Sequence, residues 1–307
     1  YYNLAQLYCP VYDEGTAKSQ LGLPLRLESD LTLRVSRASL ADTYRQIITD
    51  LETAQRLLPD YPAVAYRPGK GAVYGLLARI YLQMGDFPRA SEHVDNALSL
   101  HSELLDFNEL TFDKVPTFEP GGTNNPEVIF MAFVSTLLNL DILAYYRQNP
   151  DTALMQSYGE GDLRAKAFFR GIANGLKYEF IGSYDGTSLS NYFTGIATDE
   201  LYLVRAECAS RLGDVNQALA DLNFLRKHRF ETGFYRELES DDSSEVLGWV
   251  VAERKKQLVW RGTRWEDLRR LNTEPRFAKI LTRLIGGRLF ELPPQDKRYV
   301  WPIPLDA

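Results

Sequence analysis

Cysteine is scarce in this chain: only Cys9 and Cys208 occur among 307 residues. Two thiols cannot build a disulfide framework, and they do not form a zinc-binding pattern. Cys208 falls on the apolar face of a predicted helix, so we expect a buried thiol there. Long apolar runs are also missing, because polar residues interrupt the most apolar segment, 128–146, and no membrane-spanning helix is expected. Stability must therefore come from an ordinary packed core, for which 45% apolar residues suffice.

An excess of positive charge is lacking as well. The chain has 35 basic and 41 acidic residues, for a formal net charge of −6. A nucleic-acid surface needs clustered Lys and Arg in excess, so we predict no nucleic-acid partner. The most basic stretch, 261–270, alternates its cations with acidic and apolar residues. That alternation predicts a self-neutralising helix face.

Recognisable catalytic and metal-binding motifs are absent from the sequence. There is no nucleophile elbow, no phosphate loop and no His-Glu-x-x-His motif. The histidines lie at or near the ends of predicted helices, where capping or solvation is expected; they are His93, His101 and His228. Asp162 and Arg164 are two residues apart and could not face each other on a helix. We predict no enzyme, no catalytic residue, no metal site and no cofactor, although a glycosidase-type carboxylate pair stays open because no pair is singled out.

Two segments, 72–100 and 200–228, have the spacing of helix–turn–helix units of the tetratricopeptide kind. Five identities recur at a distance of 128 residues: Tyr74, Ala78, Gly85, Asp86 and Ala90 correspond to Tyr202, Ala206, Gly213, Asp214 and Ala218. Small residues at these positions allow two helices to approach closely, and the glycine supplies the turn. Such units bury their apolar faces only by stacking on further helices. One of these begins near Ser39, a good N-cap, and ends at Pro59.

The segment 111–195 differs from its surroundings because it is rich in turn residues. The apolar run 128–133 is consistent with a buried strand or the start of a helix, and 171–195 is rich in Gly, Asn, Ser and Tyr. Binding residues concentrate on loops that a rigid scaffold holds. We therefore predict ligand binding here, through aromatic stacking and hydrogen bonds to hydroxyls. The candidate residues are Tyr178, Tyr184, Asn191 and Tyr192, with Asp185 as a polar neighbour.

The two ends of the chain carry simpler expectations. The first 30 residues are punctuated by Pro and Gly, which predicts an extended loop. Near the other end, helices are expected over 244–261 and 265–271, with Gly262 between them. The tail 300–304 must be extended because of its two prolines. Trp301 and Ile303 would then alternate onto one side and dock against the body.

Several segments together resemble the SusD/RagB family. The resemblance covers most of residues 21–110 and 160–304. It rests on four groups of segments: Ser39 to Pro59 with the 71–85 helix, 199–207 with 222–226, 253–255 with 262–270, and Pro302-Ile303-Pro304. Residues 162–164 add a weaker match. The chain departs from the family at Gln257 and Arg261, where an acidic residue is usual, and at Ala197, where Arg is common. We expect all three to be scaffold positions.

The resemblance implies a mainly α fold with tetratricopeptide-like helical hairpins, irregular loop-rich insertions and little β structure. It implies a single SusD-like domain over 1–307 that lacks its amino-terminal part. The expected divisions are a helical repeat region (1–110), a loop-rich variable segment (111–195), and the second repeat with the carboxy-terminal helices (196–307).

The resemblance also implies a function. Members are outward-facing outer-membrane lipoproteins of Bacteroidetes that bind glycans or peptides and deliver them to a SusC-like TonB-dependent transporter. The anchoring cysteine would lie upstream of Tyr1, since no apolar export segment precedes Cys9. The alternative is a tetratricopeptide-type protein-interaction module without a small-molecule site, in which the aromatic residues are core.

Overall fold

A computed structural model of the chain describes residues 1–30, 32–122, 125–135, 150–172, 177–187 and 191–303. The fold is mainly helical, with short two-stranded antiparallel sheets, as the sequence predicts. The α-helices in chain order are α1 (Tyr2–Tyr8), α2 (Leu40–Leu57), α3 (Lys70–Met84), α4 (Phe87–Leu100), α5 (Thr152–Ser157), α6 (Arg164–Phe168), α7 (Thr198–Leu212), α8 (Val215–Lys227), α9 (Ser243–Gln257) and α10 (Arg264–Leu271).

The strands form antiparallel pairs of two to five residues. They are β1 (Leu21–Pro24) with β2 (Arg37–Ser39), β3 (Val128–Phe130) with β8 (Ile196–Ala197), β4 (Phe133–Ser135) with β7 (Asn191–Phe193), β5 (Phe169–Ile172) with β6 (Lys177–Phe180), and β9 (Leu281–Ile285) with β10 (Arg288–Leu292). The apolar run 128–133 is thus strand rather than helix.

The chain divides into two compact units. The first unit contains Tyr1–Arg56, Ile80–Asp86 and Thr263–Ala307, and the second contains Leu57–Arg79 and Phe87–Gly262. The prediction of one domain with three successive regions stays a prediction.

In the first unit, the predicted N-cap of α2 is confirmed. The Ser39 hydroxyl accepts a hydrogen bond from the backbone N–H of Asp42 at 3.0 Å and donates one to the Asp42 carboxylate at 2.7 Å. This exchange satisfies an N–H group that has no partner within the helix. One face of α2 is buried, through Leu40, Tyr44 and Ile47, at the spacing that an amphipathic helix requires.

Both predicted helical hairpins are confirmed. Gly85 follows α3 with φ of 76°, and Gly213 follows α7 with φ of 87°, the left-handed conformation that ends many helices. In the second hairpin the Asp214 carboxylate accepts a hydrogen bond from the Gln217 N–H at 3.0 Å and caps α8. The four paired alanines, Ala78, Ala90, Ala206 and Ala218, are fully buried. In the second hairpin, where α7 packs against α8, the small side chains of Ala206 and Ala218 allow the helices to approach closely.

Helix α7 is the centre of the helical layer in the second unit, where it packs against α4, α8 and α9. Its buried residues run almost continuously from Thr198 to Ser210, because helices cover it on several sides. Cys208 is fully buried on this helix, as predicted. A second cluster of this unit is aromatic and includes Phe107, Phe118, Phe168, Phe169, Tyr184 and Phe193.

Two sequence-based expectations were wrong in part, and one element was not predicted. The first 30 residues contain α1 and β1 in place of a continuous loop. The β9–β10 hairpin was not predicted, although Gly286 and Gly287 form its turn with positive φ. At the tail, the Trp301 N–H donates to the Leu7 carbonyl at 2.8 Å, but the Trp301 side chain is 51% exposed. The tail therefore docks through its backbone, while the indole ring faces solvent; Pro304 lies outside the described residues.

Candidate functional site

The β5–β6 hairpin of the second unit presents one aromatic face. Phe169 lies opposite Phe180, and Gly171 lies opposite Tyr178. Residues that are directly opposite in an antiparallel pair, and residues two apart along a strand, share a face. Phe169, Tyr178 and Phe180 therefore point to the same side. Gly171 has no side chain to lie over the Tyr178 ring, and Tyr178 is 37% exposed.

Two further rings extend this surface. The Trp260 indole stacks on Phe180 with 5.0 Å between ring centroids and 13° between ring planes, and Tyr192 of β7 lies 6.1 Å from Phe180. Phe180, Tyr192 and Trp260 are all half-buried. We call Tyr178, Phe180, Tyr192 and Trp260 the aromatic face. Phe169 lies beneath it, edge-on to Trp260 at 5.8 Å.

The backbone of Trp260 has φ of 57°, which is rare for a bulky residue. The next residue explains how this conformation is held. The Arg261 guanidinium pairs with Asp199 at 2.6 Å and lies 4.1 Å above the Tyr184 ring. A strained residue that its surroundings fix in place is a frequent mark of a binding site.

A cavity of about 640 Å³ adjoins the aromatic face. Tyr178 belongs to both, Phe169 also lines the cavity, and Thr152, Gln156 and Lys166 add polar groups. Ligand cavities of several hundred Å³ with apolar walls and a few polar groups are typical of small-molecule sites. The cavity and the aromatic face together form the candidate site.

Beneath the site lies a buried hydrogen-bonded network centred on Tyr184. The Tyr184 hydroxyl lies 2.8 Å from Glu127 Oε2 and 3.1 Å from Asp199 Oδ2. Arg229 pairs with Glu127 at 2.5 Å, and Gln257 donates from Nε2 to Asp199 at 2.8 Å. All five side chains are at most 1% exposed. Buried charges are tolerated only when they are paired in this way.

The departures from the family pattern at Gln257 and Arg261 belong to this network. Gln257 Oε1 accepts hydrogen bonds from Arg229 at 3.1 Å and from Arg164 at 3.4 Å. Gln257 contributes a neutral group next to Asp199, and Arg261 contributes a positive one. An acidic residue at position 257 or 261 would therefore face the buried carboxylate of Asp199. Both are scaffold positions in this structure.

Burial and the neighbouring charges shift the ionisation of these groups. Burial raises the pKa of Glu127, although Arg229 opposes the effect. Burial also raises the pKa of Tyr184 well above its usual value, and the carboxylates of Asp199 and Glu127 add to the shift. The Tyr184 hydroxyl therefore stays protonated and acts as a hydrogen-bond donor.

Asp162 and Arg164, which could not face each other on one helix, do meet in the structure. Asp162 precedes α6 and is not part of it, so its carboxylate reaches Arg164 Nε at 2.8 Å and Nη2 at 2.7 Å. Arg164 also pairs with Glu253 at 2.5 Å. Burial opposes ionisation of Glu253, but Arg164 and Lys256 lower the pKa of Glu253 to about 2. This ion-pair cluster fixes α6, and with it the start of β5, against α9.

The four predicted binding residues fall in different environments. Tyr178 and Tyr192 belong to the aromatic face. Asn191 is half-buried, and its Nδ2 donates to Thr187 Oγ1 at 3.1 Å and to Asp185 at 3.3 Å. Tyr184 is 1% exposed and Asp185 is fully buried, so neither offers a surface to a ligand in this structure; their part is to support the site.

Sequence reasoning missed Trp260, Gln156 and Lys166. Trp260 lies at the end of a predicted helix, where the sequence gives it the pattern of a core residue. The sequence feature that could have indicated its position is Gly262. A helix often ends just before such a glycine, so the residues that precede it need not lie on the buried face of the helix.

Among the described residues, no group of three or more His, Cys, Asp or Glu side chains has the arrangement of a metal site. Within the same ranges, every helix is too short or too polar to cross a membrane.

Two sequence profiles of one family match the chain. A profile described as starch-binding associating with outer membrane, of the SusD-like type, matches residues 1–82, and the profile of the SusD family matches residues 182–306. A curated relative, the SusD-like protein P2 of Formosa agariphila, is 21% identical over 325 residues. That alignment covers 88% of this chain and 63% of the relative, so the chain spans less than two thirds of the relative's length.

Solved structures share the fold. A SusD-like carbohydrate binding protein from Bacteroides vulgatus superposes with a TM-score of 0.71 at 18% identity, over 99% of this chain and 72% of that one. A SusD superfamily protein from Bacteroides fragilis gives a TM-score of 0.74 at 19% identity, over 99% and 71% of the two chains. At these identities the likeness establishes the fold and leaves the ligand open.

Proposed function

Because this chain belongs to the SusD/RagB family, we propose that it binds a glycan at the outer membrane and that the aromatic face receives the sugar rings. The family profile carries a description as starch-binding. One of the similar structures is a carbohydrate binding protein by its description. Both point to the same ligand class.

The observation that carries this proposal is the stack of Trp260 on Phe180 with Tyr192 and Tyr178 beside it. The C–H groups on one face of a pyranose ring pack on an aromatic ring, and half-exposed rings of fixed orientation present such a surface at low entropic cost. Thr152, Gln156 and Lys166 in the adjoining cavity provide hydrogen-bond donors and acceptors for the hydroxyl groups.

The wider role follows the family. We propose that the protein binds its glycan without catalysis and delivers it to a SusC-like TonB-dependent transporter. It would face outward and be held at the membrane by a lipid on an upstream cysteine. The support for binding without catalysis is that Glu127, Asp199 and Glu253 are buried in ion pairs, and that no Asp or Glu is among the described residues that line the cavity. A peptide is the alternative ligand, since aromatic faces also accept apolar side chains.

Isothermal titration against a panel of neutral oligosaccharides and short peptides tests the proposal. We expect an oligosaccharide to bind, and we expect Tyr192→Ala to raise its dissociation constant about tenfold, the effect of losing one stacking partner. Tyr66→Ala is the matched control, because Tyr66 is 50% exposed and lies outside the site.

Three outcomes count against the glycan proposal. Binding of peptides alone would favour the alternative ligand. Binding that Tyr66→Ala weakens as much as Tyr192→Ala would remove the aromatic face from the site. No binding of any probe would favour the protein-interaction module, whose surface is the set of helical hairpins.

A further inference from the structure

The first unit has a cavity of its own, of about 610 Å³. Tyr8 at the end of α1 and Arg37 of β2 line one part of it. The segment from Lys297 to Ile303, which follows the β9–β10 hairpin, lines the rest. All of these residues belong to the first unit, so this cavity is separate from the one beside the aromatic face. Its volume lies within the range of small-molecule sites.

The charged residues that line this cavity are all cations: Arg37, Lys297 and Arg298. Arg37 donates to backbone carbonyl groups, at 2.7 Å to Gly22 and 3.1 Å to Leu21. These partners hold the guanidinium in place without neutralising its charge.

Asp296 is the carboxylate next to this group. It pairs with Arg298 at 2.8 Å and 2.9 Å, and hydrogen bonds from the Arg298 side chain and backbone lower the pKa of Asp296 to about 2. Among the described residues, the three lining cations and Asp296 together carry a net charge of +2. This excess is notable because the chain as a whole has a net charge of −6.

An aromatic ring completes the cavity. The Trp301 side chain lines it and is 51% exposed. The Trp301 backbone is held by its hydrogen bond to Leu7, and the preceding Tyr299 is buried against Trp265 with 4.9 Å between ring centroids. The indole is thus exposed on a segment that is held by the Trp301 backbone and by the buried Tyr299 side chain.

We propose that this cavity is a second binding site, for an acidic saccharide. The Trp301 ring would pack on the C–H face of a sugar ring. Lys297 and Arg37 would pair with a carboxylate or sulfate group on the same sugar or its neighbour. A neutral glycan would gain the stacking contact alone, so the site discriminates by charge.

Titration of three oligosaccharides of similar length tests this proposal: an oligogalacturonate for the carboxylate, a sulfated galactan oligosaccharide for the sulfate, and a maltooligosaccharide as the neutral probe. We expect at least one acidic probe to bind more tightly than the neutral one, and to weaken as salt is raised. Lys297→Gln and Trp301→Ala should each raise its dissociation constant about tenfold. Both side chains are exposed, so melting temperatures should not change.

The control substitution is Lys279→Gln, which removes the same charge from an exposed position outside the cavity. It should leave binding unchanged, and so should Tyr192→Ala. Failure of both acidic probes to bind would overturn the proposal, as would equal effects of Lys297→Gln and Lys279→Gln. Loss of acidic binding in Tyr192→Ala alone would overturn it as well, while supporting the aromatic face as the site.

Discussion

The indole ring of Trp260 stacks on the ring of Phe180 at 5.0 Å while the Trp260 backbone is in the left-handed region. These two facts make separate predictions. Trp260→Ala should lower the free energy of unfolding by about 1–3 kcal/mol. The expected loss is smaller than for removal of a fully buried Trp side chain, because the Trp260 ring is only half-buried. The same change should weaken glycan binding. Urea denaturation and titration calorimetry measure the two effects.

A second substitution at this position isolates the backbone. Asn tolerates the left-handed region better than Ala, so Trp260→Asn should be more stable than Trp260→Ala by about 0.5–1 kcal/mol. Binding should be lost equally in both. If the two variants have the same stability, the backbone at residue 260 is not strained.

The Tyr184 hydroxyl bridges two buried carboxylates, and its removal should cost stability without affecting the ligand. Tyr184→Phe removes the single hydroxyl proton that Glu127 and Asp199 share, which predicts a loss of about 2–3 kcal/mol. Tyr158→Phe is the matched control, since the Tyr158 hydroxyl bonds only a backbone carbonyl, of Lys256, and should cost about 1 kcal/mol. Thermal and urea unfolding compare the two. Equal losses would mean that the bridge adds nothing to an ordinary hydrogen bond.

Because the pKa of Glu253 is lowered in the folded protein, we expect the free energy of unfolding to fall in acid. Its pKa is about 2 in the folded protein against an ordinary value of 4.5, so the unfolded chain binds more protons between these values. Stability from this group is present above about pH 4.5 and is lost as pH falls toward 2. In Glu253→Gln this part of the pH dependence should disappear. Urea midpoints between pH 2 and pH 7 test it, and an unchanged slope in the variant would contradict the assignment.

The turn of the second helical hairpin depends on glycine. Gly213 has φ of 87°, and a Cβ there would meet no atom within 4 Å, so only backbone strain opposes alanine. Gly213→Ala should therefore cost about 1 kcal/mol. Gly159→Ala, also in open space but without a positive φ, should be neutral or slightly stabilising. Melting temperatures of the two variants test this, and equal changes would mean that the positive φ of Gly213 costs alanine nothing.

The hairpins could be predicted from the sequence because their signals are local. Ala78, Gly85 and Ala90 are close along the chain, and their spacing recurs at Ala206, Gly213 and Ala218. The aromatic face is different, because Trp260 comes from the turn after α9, Tyr178 from β6 and Tyr192 from β7. Only tertiary packing brings them together. For the same reason Tyr184, six to eight residues from the other candidates in sequence, could not be recognised as buried: its partners Glu127 and Asp199 are 57 and 15 residues away in the chain.

The most direct measurement is a crystal structure of the protein with the neutral oligosaccharide that binds most tightly. We expect a sugar ring in van der Waals contact, at about 4 Å, with Tyr178, Tyr192 or Trp260. Its hydroxyl groups should reach Gln156 or Lys166 in the adjoining cavity. A sugar bound elsewhere, with all four rings of the aromatic face left in solvent, would contradict the proposed site.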